Sequence, residues 1–79
     1  MKYRFSSLEK MIAVECILRK NPNGISLQQI INRLYDEYGM SAERKSIYTN
    51  INVLTRFMDV YTKKEGNKVF YCLRRSDTK

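Results

Sequence analysis

Leu27-Gln-Gln-Ile-Ile-Asn-Arg-Leu-Tyr-Asp-Glu-Tyr-Gly-Met-Ser-Ala-Glu-Arg-Lys-Ser-Ile-Tyr-Thr-Asn-Ile-Asn-Val-Leu54 reads as two helices with almost nothing between them. Leu27, Ile30, Ile31, Leu34 and Tyr38 recur at helical spacing, and Ser26 with Gln29 forms a capping box ahead of them, so a helix is expected over about 27–38. Gly39 supplies the stop. Met40-Ser41-Ala42 is a turn of a few residues, with Ser41 the expected N-cap of a second helix over about 42–57. At 100° per residue, Ile47, Ile51, Leu54 and Met58 fall within about 60° of one another and form its core stripe. Helices joined this tightly cross steeply, as in helix-turn-helix.

Working outward toward the N-terminus, Ser6 and Glu9 make another capping box, and a helix is expected over about 7–20. Its apolar residues Leu8, Met11, Ile12, Val14, Ile17 and Leu18 cover a broad stripe, which predicts burial on more than one side. Asn21-Pro22-Asn23-Gly24 ends it with turn residues, and Ile25 fits a very short strand. Met1–Phe5 is a short basic and aromatic arm.

Toward the C-terminus the period changes to two. Val60–Lys63 and Val69–Leu73 are β-prone runs around Gly66-Asn67, a hairpin turn pair. An isolated hairpin is marginal in water, so this one must pack on the helices. The polar end Arg74–Lys79 is expected to fray. The fold class is therefore mainly α with a small β-hairpin: one winged helix-turn-helix domain over 1–79, with recognition helix 42–57 and wing 60–73.

Charge is distributed unevenly. Residues 1–43 carry six basic and five acidic side chains, net +1, whereas residues 44–79 carry nine basic and three acidic, net +6. Such asymmetry reads as an electrostatic footprint for nucleic acid, or less often for an anionic membrane or an acidic protein. On the recognition helix, Lys45, Thr49, Asn52 and Arg56 lie nearly opposite the core stripe, flanked by Arg44, Ser46, Tyr48 and Val53, with no acid among them. A solvent face would mix Asp and Glu with its cations. Base contacts are expected from Lys45, Thr49 and Asn52: Lys donates to guanine, Asn pairs with adenine, and the Thr methyl touches thymine. Phosphate contacts are expected from Arg44, Ser46, Tyr48 and Arg56, and from the wing lysines Lys63, Lys64 and Lys68.

Other chemistries lack their residues. The chain of 79 residues contains no histidine, no Gly-rich phosphate loop and no cluster suited to a metal, so catalysis, cofactors and metals are not expected. Asp36 and Glu37 are adjacent on a helix and do not face each other. Cys16 and Cys72, far apart and without a CxxC pattern, read as small buried hydrophobes in a reducing compartment. The longest apolar run, Met11–Leu18, is interrupted by Glu15 and too short for a bilayer, so a cytoplasmic protein with no membrane partner is expected.

Ile25–Leu34, then Tyr38–Tyr48 and Ile51–Leu54, resemble the N-terminal winged helix of WYL-domain bacterial transcriptional regulators, related to the DeoR type. The resemblance covers roughly residues 7–73 and implies a wing after the recognition helix. Where that family often reads Ile-Tyr-(Arg or Asp)-Asp-Ile, this chain has Ile47-Tyr48-Thr49-Asn50-Ile51, and losing the acid makes the helix more cationic. The family continues into a ligand-sensing domain, whereas this chain ends at Lys79, so no small-molecule effector site is expected. Together these features imply a sequence-specific double-stranded DNA-binding transcriptional regulator. A homodimer is the expected assembly, since one small domain reads few base pairs. The alternative is a small phage- or mobile-element-encoded winged-helix protein that binds and inhibits a partner such as a CRISPR nuclease.

Overall fold

The Ser6 hydroxyl accepts the Glu9 N–H at 3.1 Å while the Glu9 carboxylate accepts the Ser6 N–H at 2.8 Å. This reciprocal cap starts α1, Ser7–Lys20, in the computed structural model, which describes residues 5–74. At its other end Asn21 donates its side-chain amide to the Ile17 carbonyl at 2.8 Å, closing the last turn. Ser26 and Gln29 repeat the reciprocal cap at 3.3 and 3.1 Å, and α2 spans Leu27–Tyr38. Gly39 then takes the left-handed conformation, φ 68°, that a side chain would resist. The Met1–Arg4 part of the basic arm and the end 75–79 lie outside the described residues.

The second helix of the pair, α3, spans Arg44–Leu54 and is shorter at both ends than the sequence predicts. Ser41 does not cap it. Glu43 occupies the N-cap position without a side-chain hydrogen bond. Met40 is buried and Ala42 packs against the core, so apolar anchoring draws the turn inward and delays the helix by two residues. At the far end, the Arg56 and Phe57 N–H groups reach back three residues to Val53 and Leu54. The Thr55 hydroxyl donates to the Asn52 carbonyl at 2.7 Å, and the chain leaves the helix in a tight turn.

Ile25–Ser26 forms β1, Val60–Glu65 forms β2 and Lys68–Leu73 forms β3, in an antiparallel sheet of order β1-β3-β2. Ile25 pairs with Tyr71 and Ser26 with Phe70, so the start of α2 is tied directly to the wing. In the hairpin, Thr62 pairs with Tyr71, Lys63 with Phe70 and Lys64 with Val69 around the loop Gly66-Asn67. The three helices and three strands have the layout of a winged helix. Gly24 permits the close approach of the α1–β1 loop to this sheet. Its φ is 110°, and a Cβ there would stand 3.1 Å from both the Cys72 Sγ and the Phe70 Cβ.

The core gathers Val14, Ile17, Leu18, Ile25, Ile30, Leu34, Ile47, Ile51 and Leu54, with Tyr71, Leu73 and Val60 closing it from the sheet. The expected burial of α1 on more than one side does not occur. Ala13, Val14, Ile17 and Leu18 are buried, but Leu8 is 63% exposed and Ile12 51%, because α2, α3 and the sheet all pack on a single face. Cys72 is buried, Cys16 is partly so, and both are free thiols.

Candidate nucleic-acid interface

Packing fixes which side of α3 faces outward. With Ile47, Ile51 and Leu54 buried, Lys45, Thr49 and Asn52 are all exposed on the opposite side. Arg56 is exposed as well, but it lies past the helix in the turn rather than on its last coil. Asn50 departs from the sequence pattern. It is only 7% exposed, on the flank of the core stripe, and its Nδ2 has no partner.

The side chains of this face are held to different degrees. Arg44 donates at 3.0 Å to the Gln28 side-chain carbonyl, and the Gln28 amide donates to Asn32 at 3.2 Å. A chain of polar groups thus runs from α3 onto α2. The Thr49 hydroxyl donates to the Lys45 carbonyl at 3.1 Å, one turn back along the helix. Ser46 is half-buried. Tyr48 is 49% exposed and turns toward the wing, where its hydroxyl meets that of Tyr71. Burial first, and then this neighbouring phenol and their hydrogen bond, raise the Tyr71 pKa above its usual 10.0.

Pairing in the wing sorts its lysines. Successive strand residues point to opposite faces, so Lys64 shares a face with Thr62 and Tyr71, the face turned toward the helices. Lys63 and Lys68 share the other face with Glu65. The three lysines form one tip but not one surface.

Ion pairing differs between the two halves. Arg19 pairs with Glu15 at 2.7 Å, and Lys20 and Arg33 both reach Glu37, at 3.7 and 3.3 Å. Arg74 pairs with Asp59 at 2.9 Å and lies 4.8 Å from the centre of the Tyr61 ring. Lys45, Arg56, Lys63, Lys64 and Lys68 have no ion-pair partner among the described residues, and all are exposed. Cations on α1 and α2 are thus largely neutralised locally, while those of α3 and the wing are free to meet an external anion.

Sequence reasoning did not find Gln28, Asn32 or Tyr71 as parts of this surface. Gln28 and Asn32 stand at i and i+4 on the polar side of α2, a spacing that was legible, but nothing in it pointed to Arg44. No group of three or more Cys, Asp or Glu residues suited to a metal ion occurs among the described residues. No described helix is long and apolar enough to cross a membrane. Compared with protein-family models and with curated proteins, the chain matches none.

Proposed function

We propose that the protein is a sequence-specific double-stranded DNA-binding regulator of transcription, acting in the cytoplasm, with α3 in the major groove and the wing on the backbone. The observation that carries this reading is the charge arrangement. α3 holds no acid between Arg44 and Leu54, and Lys45 and the wing-tip lysines have no ion-pair partner among the described residues. The major groove is wide enough for a helix and presents a distinct pattern for each base pair. Lys45, Thr49 and Asn52 would read base edges, while Arg44, Ser46, Tyr48, Arg56, Lys63, Lys64 and Lys68 would hold phosphates. The resemblance to WYL-associated winged helices agrees with this reading, and a homodimer on a palindromic site is the assembly proposed with it.

Selection of bound duplexes from a random pool tests it. Enrichment of one motif, bound in a salt-dependent manner, is the expected result. Absence of both enrichment and salt-dependent binding overturns it.

One observation favours a protein partner instead. Phe57 is 79% exposed beside an open groove of about 1000 Å³ lined by Pro22, Met58, Leu73 and Arg19. Exposed aromatics next to a groove are common anchors in protein interfaces, and a nuclease-binding inhibitor would use such a surface.

A further inference from the structure

Apart from the exposed Tyr48 ring, the outward face of α3 is polar except where Thr49 and Val53 stand. Thr49 and Val53 stand at i and i+4 and are therefore neighbours on the helix surface. Thr49 is exposed and Val53 half-buried. The Thr49 hydroxyl spends its proton on the Lys45 carbonyl at 3.1 Å. A Thr side chain held to its own backbone this way offers its γ-methyl, not a donor, to whatever lies in front of it. The result is a small apolar spot, methyl beside isopropyl, on a helix face of cations and amides. Lys45 lies one turn before Thr49 and Asn52 three residues after it, both exposed and with side chains that have no partner among the described residues.

We propose that the Thr49–Val53 spot receives the C5-methyl group of a pyrimidine in the major groove, whether thymine or 5-methylcytosine. This rests on the DNA-binding reading above and adds a consequence to it: binding responds to cytosine methylation at one position of the site. Thymine differs from uracil, and 5-methylcytosine from cytosine, only by this methyl group, which projects into the major groove without changing Watson–Crick pairing. Burying one methyl-sized apolar group against the spot is worth about fourfold in affinity. Because Thr49 lies between Lys45 and Asn52 along the helix, the pyrimidine it contacts is an interior base of the site, flanked by the bases those two residues read.

The experiment starts from the duplex selected above. Each thymine is replaced singly by uracil, and each cytosine by 5-methylcytosine. At the contacted position the thymine is also exchanged for cytosine and for 5-methylcytosine opposite guanine. The intact protein should lose about fourfold in affinity when one interior thymine becomes uracil. At that same position 5-methylcytosine should be bound about fourfold more tightly than cytosine. Thr49→Ser keeps the hydroxyl that bonds to Lys45 and removes only the methyl. It should melt like the parent and show both differences reduced. A protein that selects a duplex yet shows no methyl effect at any pyrimidine overturns the inference and leaves the DNA reading standing. So does a methyl effect that persists undiminished in Thr49→Ser. A protein that selects no duplex overturns both.

Discussion

Lys45 and Asn52 are placed by the packing of Ile47, Ile51 and Leu54 behind them, and neither side chain has a partner among the described residues. Lys45→Ala or Asn52→Ala should therefore leave the melting curve unchanged. Each should weaken cognate DNA binding tenfold or more, as loss of a base contact worth about 1–3 kcal/mol requires. Unchanged cognate affinity in a normally folded variant removes these residues from the groove. Asn50 is the opposite case. Its buried Nδ2 has no hydrogen-bond partner among the described residues, and an orphaned buried donor costs about 1–3 kcal/mol. Asn50→Leu should raise the melting temperature by several degrees, and a fall would show that the amide stabilises the fold. Asn50 was not legible because a polar type on the margin of a core stripe reads as solvent-facing. Only the way α3 beds into its neighbours reveals that the margin is covered. Tyr71 gives a pH test. Its pKa is raised in the folded state by burial and by Tyr48. The unfolded chain therefore releases this proton first, and the stabilising contribution is complete below about pH 10 and lost as pH rises through the higher folded value. Urea denaturation from pH 9 to 11 should show stability falling, less steeply in Tyr71→Phe.

At the scale of elements, the helix starts at Ser7 and Leu27 were legible because both depend on local capping boxes, whose two hydrogen bonds form within four residues. The wing was legible from its period and from Gly66-Asn67, and the short strand at Ile25 from its position before a cap. Both ends of α3 were not. They depend on Met40 and Ala42 being drawn into the core and on the turn after Leu54, which are tertiary outcomes with no local signature. The outer face of α1 was misread for the same reason. Apolar spacing describes what a helix offers, whereas the number of elements packed on it decides what is buried. Leu34 and Ile51 lie where those elements converge, with Leu34 fully buried and Ile51 4% exposed. Leu34→Ala and Ile51→Ala should each cost about 2–5 kcal/mol, a large share of the several kcal/mol available to a domain of 79 residues. Variants melting within a few degrees of the parent would contradict this core.

For the whole molecule the decisive quantity is where unpaired charge sits. A net of +1 over residues 1–43 against +6 over 44–79 was visible in the sequence, but its partition into paired and free cations was not. Ion pairs such as Lys20–Glu37 join residues that only the packing of α1 on α2 brings together. If Arg44, Arg56, Lys63, Lys64 and Lys68 each meet a phosphate, five contacts per subunit give a log-affinity against log-salt slope of about −4 to −5, roughly doubled in a dimer. Lys63, Lys64 and Lys68 ride on a hairpin tip with exposed, flexible stems, so they contribute charge and not base discrimination. Replacing all three by Gln should flatten the slope by about three units per subunit and weaken cognate and scrambled duplexes alike. Lys64 is the one wing lysine on the face turned toward the helices, and its single replacement by Gln should account for about one of those units. Binding to both duplexes across a salt series provides the measurement. A triple variant that keeps the parental slope takes the wing off the backbone. One that loses only cognate affinity makes the wing a reader of bases, a role that strand pairing placing its lysines on opposite faces does not support.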